Sequence, residues 1–186
     1  MCRRQGLRLG FLLIGLIGLN LVGSPQPKTE RMAVPLYDQE GLLLRPIGFE
    51  KWMFVGASLG LSYSEESERN EPGRFHNVYI QPEAYQNFLK TGEFPEKTML
   101  AMSVYKPEQK VSINKEGFFE GQLVSLEVAL KDHEHFDEGW AYFDFDKSKE
   151  KATAFPKTRC FSCHNDHGAH DNVFIQFYPL LRSLKN

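Results

Sequence analysis

The sequence predicts an α+β domain built mainly from antiparallel β-sheet, with a few short helices. Three observations carry this. Segments rich in aromatic and β-branched residues recur through the middle of the chain, as in FHNVYIQP, TMLAMSVYKPEQ, GFFEGQLVSLEVALKD and GWAYFDFDK. Turn-forming residues separate them, among them Pro72-Gly73 and an acidic loop after Asp132. Only one stretch between them has clear helix punctuation: Pro82 opens EAYQNFLKTG and Gly92 ends it.

Taken in order, residues 25–41 form a linker and lead-in to a domain spanning 42–186. FEKWMFVGASLG, Phe49 to Gly60, reads as a short helical turn running into a strand. SYSEESERNEPGR, Ser62 to Arg74, is a polar loop. The strand FHNVYI, the helix from Pro82 and the strand from Thr98 follow. Alternation along that last strand puts Leu100 and Met102 on one face and Met99 and Ala101 on the other. Two more strands flank the acidic loop, whose His133 and His135 are expected to be solvated. VFIQFYPLLRSLK closes the chain and is apolar on both faces.

The N-terminus, MCRRQGLRLGFLLIGLIGLNLVGSPQP, has the form of a targeting segment over residues 1–24. Arg3, Arg4 and Arg8 precede an apolar run from Leu9 to Gly23. That run contains Asn20 and is shorter than the roughly 20 residues a spanning helix needs. A signal peptide and a periplasmic protein are expected; an uncleaved membrane anchor is the alternative. The remaining 162 residues suit one domain, and 41% apolar composition suffices for a core. A formal net charge of −2, with both signs interspersed, excludes an electrostatic case for nucleic acid. Fifteen phenylalanines favour a site with apolar walls.

The chemistry concentrates in RCFSCHNDHGAHDNVFIQFYP, residues 159–179. Cys2 lies in the targeting segment, which leaves Cys160 and Cys163 as the cysteines of the mature chain. A Cys₂His₂ zinc site from Cys160, Cys163, His167 and His170 would crowd all four ligands into eleven residues and leave His164 idle. A thioredoxin-like dithiol wants its C-x-x-C at the head of a βαβ unit, not at the end of a β-rich chain. Haem c uses every residue of CFSCH. Cys160 and Cys163 add across the porphyrin vinyl groups, and the adjacent His164 offers its imidazole to the iron. Such attachment is made outside the cytoplasm, in agreement with an export signal. One covalent haem c is therefore expected, with His167 and His170 outside the ligand set.

Several stretches together resemble the family of cytochrome P-460 and cytochrome c′-beta: EKWMFVG, VYIQPEAYQNFLKTGEF, LEVALKD with GWAYFDF, and CFSCHNDHGAHDNVFIQFYPLLR. The resemblance runs from Leu42 to Arg182. It implies a predominantly antiparallel β fold, a homodimer, and one haem c per chain in a partly apolar pocket. Cytochrome P-460 members oxidise hydroxylamine, and some handle nitric oxide. They carry a lysine bonded to the porphyrin and a distal carboxylate for proton transfer. Cytochrome c′-beta members lack the crosslink, have an aromatic distal pocket and bind gases. Aligned on TGEF, the lysine position is Met102 here, and the carboxylate position is Phe155. Lys97, at the turn, is a poor substitute for the lysine.

These departures argue against hydroxylamine oxidation. Met102 is a candidate sixth ligand, although a methionine on a strand is often simple core filling. His164 and Met102 together imply an electron-transfer cytochrome serving small redox proteins. The alternative is a five-coordinate protein for small gas ligands such as nitric oxide, with Phe155 and Phe75 as distal walls.

Overall fold

A computed structural model describes residues 34–61, 72–110, 113 and 115–182. The targeting segment, most of the linker and most of the polar loop after Ser62 lie outside the described residues. The chain forms β1 (Leu43–Leu44), a 3₁₀ turn at Phe49–Lys51, β2 (Met53–Leu59), β3 (Phe75–Ile80), α1 (Pro82–Thr91) and β4 (Met99–Glu108). It continues with β5 (Phe119–Lys131), β6 (Trp140–Asp146), β7 (Lys151–Ala152), α2 (Phe161–His167), a second 3₁₀ turn at Ile175–Phe177, and α3 (Pro179–Arg182). Strands β2 to β6 make one antiparallel sheet in chain order, and β1 pairs with β7. The expected α+β fold dominated by antiparallel sheet is the fold observed.

Local chemistry explains the elements. Pro82 sits in the first turn of α1, where its missing N–H costs nothing, and Gly92 caps the C-terminus at φ 76° with its N–H donated to the Phe88 carbonyl. Gln81 is wholly buried just before the helix. Its Oε1 accepts the Met99 N–H at 2.6 Å and so fixes α1 to β4. The β strands are fixed by what their alternate faces bury, because a slip of one residue would exchange the two faces.

One face of the sheet closes a core. Met99 and Ala101 of β4, Leu126, Val128 and Leu130 of β5, and Phe143 and Phe145 of β6 pack there with Leu43, Phe49 and Trp52. Each large side chain fully buried there contributes about 1.5–3 kcal/mol. The other face takes Ile80, Leu100 and Tyr142. It is covered by Phe88 of α1, by Phe94, and by Ile175 and Leu181 of the C-terminal segment. Leu100 and Met102 thus share one face of β4, and Met99 and Ala101 the other, as the alternation requires.

The acidic loop after β5 is exposed at His133, Glu134 and His135 but is knotted at its first residue. Asp132 is wholly buried and accepts from Lys97 Nζ at 2.5 Å, from the Tyr37 hydroxyl at 2.9 Å and from His135 Nδ1 at 2.9 Å. His135 also stacks on Tyr37 at 4.5 Å between centroids, and His133 Nδ1 meets Glu96 at 2.7 Å. His133 and His135 are solvent-exposed, as expected, and each also has a carboxylate partner. A buried carboxylate needs donors, and Tyr37, Lys97 and His135 supply them from three parts of the chain.

Candidate functional site

The site grows from α2. This seven-residue helix begins just after Cys160 and carries Cys163 and His164. Ser162 N–H donates to the Lys157 carbonyl and His164 N–H to that of Cys160. Gly168 ends the helix, its N–H on the His164 carbonyl at 2.8 Å. The chain then turns back sharply. Asp171 and Asn172 both take positive φ, 47° and 58°, a region polar residues with short side chains tolerate best. Val173 N–H donates to the His170 carbonyl at 2.8 Å and closes the turn.

That turn aims the Asn172 carbonyl at His164. His164 Nδ1 lies 2.8 Å from this oxygen, and a carbonyl can only accept, so Nδ1 carries the proton. Nε2 therefore keeps its lone pair, which is the tautomer a metal ligand needs. The imidazole is wedged between Tyr142 and Phe174, with ring centroids 4.2 and 4.4 Å away. Burial holds the His164 pKa below its ordinary value, against the opposing pull of the Asn172 carbonyl. The ring is neutral and ready to ligate.

His164, Cys160 and Cys163 border a cavity of about 730 Å³ against the second face of the sheet. This lies within the roughly 300–1,000 Å³ usual for cofactor sites. Met102 and Leu100 of β4, Val78 of β3, and Phe155 form apolar walls. Phe155 donates its N–H to the Tyr142 carbonyl, and the Arg159 guanidinium lies 3.8 Å over its ring. Cys160, Cys163, His164, Met102 and Phe155 thus meet in one place. Phe75 does not join them. On β3 it shares its face with Asn77 and Tyr79, while His76 and Val78 point to the cavity.

The other readings of the cysteine cluster meet obstacles. Burial, and then the charge of Glu127, push the Cys160 thiol up, the reverse of what a redox dithiol requires. His170 packs between Phe88 and Phe94 beside Glu93, and His167 lies exposed at the end of α2. Among the described residues, the one set of three such ligand groups within 4.8 Å is Asp132, Glu134 and His135, and Lys97 already supplies its cation.

Two polar residues of the cavity escaped the sequence reading. Glu127 stands opposite Met102 in the β4–β5 register and opposite Asp144 in the β5–β6 register. Its side chain is open to the cavity, yet the surrounding protein desolvates it and raises its pKa above the usual range; Asp144 adds to this, with Arg159 and Arg74 opposing. The cavity therefore holds a carboxylate, although the position read as the family's carboxylate is Phe155. His76 is the second; its Nδ1 lies 3.4 Å from the Ser58 hydroxyl, and burial, then Arg74, lower its pKa. The signal was present in both cases. In LEVAL the buried Leu126, Val128 and Leu130 force Glu127 to the cavity face, and in FHNVYI His76 travels with Val78 and Ile80.

The donor set fits haem c on chemical grounds. Two thiols flank one turn of helix, a neutral imidazole has its Nε2 free, and a thioether and aromatic rings line an apolar cavity large enough for a macrocycle. No curated protein matches the chain. The family model for cytochrome P460 matches residues 46–175, well over half of the sequence, from the first 3₁₀ turn through CFSCH to the second. Fold, cavity and match agree: the chain belongs to the cytochrome P460 family, whose membership points to a c-type haem protein.

Proposed function

We propose that this is an exported mono-haem cytochrome that carries electrons, in which Cys160 and Cys163 would anchor the haem as thioethers and His164 and Met102 would ligate its iron. The observation that carries the reading is the place of Met102. Its side chain stands on the cavity face of β4, in the same cavity that takes the His164 imidazole. Bound haem supplies a one-electron iron couple. The protein's own residues decide how that couple is used. The Asn172 carbonyl holds His164 in one tautomer, and Tyr142 and Phe174 fix its ring plane. The Met102 thioether, held on the central strand β4, would serve as the second protein ligand to the iron, and a ligand kept in both oxidation states would keep reorganisation small. A soft ligand and apolar walls such as Phe155 favour the ferrous state and a positive potential. Small redox proteins are the partners this reading implies, with a periplasmic homodimer as the working form.

A five-coordinate protein for small gases such as nitric oxide is the second reading. It is supported by the aromatic face that Phe155 presents to the cavity. Hydroxylamine oxidation has less support. Met102 offers no amine for a porphyrin crosslink, and Lys97 is engaged by Asp132 and Glu134. The presence of Glu127 means that a missing carboxylate no longer counts against it.

The test is Met102→Ala in the haem-loaded protein. Wild type should be low-spin in both oxidation states and slow to bind carbon monoxide. The variant should be high-spin when ferrous, bind carbon monoxide rapidly and have a lower potential. Identical spectra and gas binding in the two proteins would assign Met102 to core filling and favour the gas-binding reading.

A further inference from the structure

We infer that Asp171 is a positioning residue for the proximal histidine, acting through the Asn172 carbonyl to set the electronic character of His164. The inference rests on the haem reading of the site and adds residues that CFSCH does not contain. Asp171 is held from two sides. Its Oδ2 accepts Lys131 Nζ at 2.7 Å, from the last residue of β5, and its Oδ1 accepts Trp140 Nε1–H at 3.0 Å, from the first residue of β6. Lys131 is itself fixed, with Nζ also on the Phe94 carbonyl at 2.9 Å. Trp140 is 3% exposed and packs edge-on against Phe94. Both anchors therefore belong to the rigid sheet.

The backbone makes this clamp matter. Asp171 and Asn172 sit consecutively at positive φ, a region that residues with a side chain rarely adopt two in a row. Something must hold the pair there, and the two bonds on the Asp171 carboxylate do so. The next carbonyl along the chain is the one that receives His164 Nδ1–H at 2.8 Å. The path is short and physical: sheet end, Asp171 carboxylate, peptide turn, Asn172 oxygen, imidazole. With the carbonyl in place the hydrogen bond lends the imidazole some anionic character, which stabilises ferric iron. With the turn loosened that bond lengthens and the ferrous state gains.

The test uses haem-loaded wild type and Asp171→Asn, with Trp140→Phe as a second variant that removes one donor and leaves the carboxylate charge. A haem stain on denaturing gels, and the haem content after alkaline pyridine treatment, establish that cofactor attachment is intact in each. Changing a residue that orients a ligand typically costs about tenfold or more in metal-site properties. A tenfold shift of the ferric/ferrous equilibrium toward ferrous corresponds to about 59 mV for one electron. Asp171→Asn should raise the potential by this order, and Trp140→Phe should move it the same way by less. Phe145→Ala, in the core on the opposite face of the sheet, controls for general destabilisation: it should lower the melting temperature and leave the potential in place. Haem-loaded Asp171 and Trp140 variants with the wild-type potential would overturn the inference while leaving the haem reading intact. A wild-type protein without covalent haem would overturn both.

Discussion

Gly168→Ala isolates the closest backbone approach around the proximal loop. Gly168 has φ −66° and ψ 123°, angles an alanine adopts without strain, so conformation alone does not demand glycine there. Space does. A Cβ at this position would lie 2.6 Å from the His164 carbonyl oxygen, 2.8 Å from the Asn172 carbonyl carbon and 3.0 Å from the Val173 nitrogen. All three are backbone atoms, so no side chain can swing aside; either the last turn of α2 or the turn at residues 169–173 must move. Overpacking of this kind costs about 1–3 kcal/mol. The lower entropy of the unfolded alanine chain returns about 0.4–1 kcal/mol of that. The net loss is about 0–2.6 kcal/mol, which for a domain of this size lowers the melting temperature by roughly 2–4 °C per kcal/mol. Gly92→Ala makes the comparison. It has φ 76° and nothing within 4 Å of a new Cβ, so it pays only the left-handed penalty of about 1–2 kcal/mol. Urea unfolding and calorimetry of the haem-loaded proteins measure both losses. The reduction potential separates them, because Gly168→Ala disturbs the loop holding His164 and Gly92→Ala does not. If Gly168→Ala leaves both the stability and the potential unchanged, the tight contact among His164, Gly168 and Asn172 is not what shapes this loop.

Three further outcomes follow from the same contacts. Replacing Cys160 and Cys163 together by alanine should abolish the haem stain on a denaturing gel; a stained band of the double variant would refute their role as anchors. The Asp132 carboxyl is opposed by burial, but hydrogen bonds from Lys97 and Tyr37 and the charge of His135 outweigh this and hold its pKa below the ordinary range. A depressed folded-state pKa gives stability that is present above the ordinary carboxyl value near 4 and lost as pH falls through the lower folded value. Lys97 keeps Glu134 as a partner, so Asp132→Asn should be less stable at pH 7 by about 1–3 kcal/mol, the cost of the lost buried hydrogen bonds, and lose less than wild type between pH 5 and pH 2 in urea titrations; parallel curves would show that the carboxylate does not carry this pH dependence. Hydroxylamine with an artificial electron acceptor should give no steady turnover, and sustained turnover would mean that a lysine at position 102 is not required here.

Much of the fold was legible because it is written in short-range pattern. FEKWMFVGASLG gave a turn and then a strand, and Pro82 and Gly92 bracketed α1 to within a residue. Less legible were pairings between distant segments. Nothing in LLLR announces that Leu43 will lie opposite Ala152, 109 positions later, and become wholly buried. The knot at Asp132 was missed for the same reason. Tyr37, Lys97 and His135 are far apart in sequence, and an acidic loop gives no local sign that its first carboxylate will be buried among them.

The site divides along the same line, and the division explains which of its residues could be read. Its proximal half is contiguous. Cys160, Cys163, His164, Gly168, Asn172 and Phe174 lie within fifteen residues, so the proposed attachment and ligation, and the hydrogen bond behind His164, belong to one stretch of chain. The distal half is assembled across the sheet, where a side chain's place depends on parity. Val78, Met102 and Glu127 form one row through β3, β4 and β5. A residue belongs to that row only if its separation from a known cavity residue on its own strand is even. Met102 satisfies this with Leu100, and His76 with Val78. Phe75 fails by one residue, and the difference sends its ring to the opposite face, with Asn77 and Tyr79. A phenylalanine near the right place was thus a weaker guide than its position, odd or even, along a strand. The same parity makes Glu127 unavoidable: with Leu126 and Val128 committed to the closed core, the carboxylate between them has only the cavity to face.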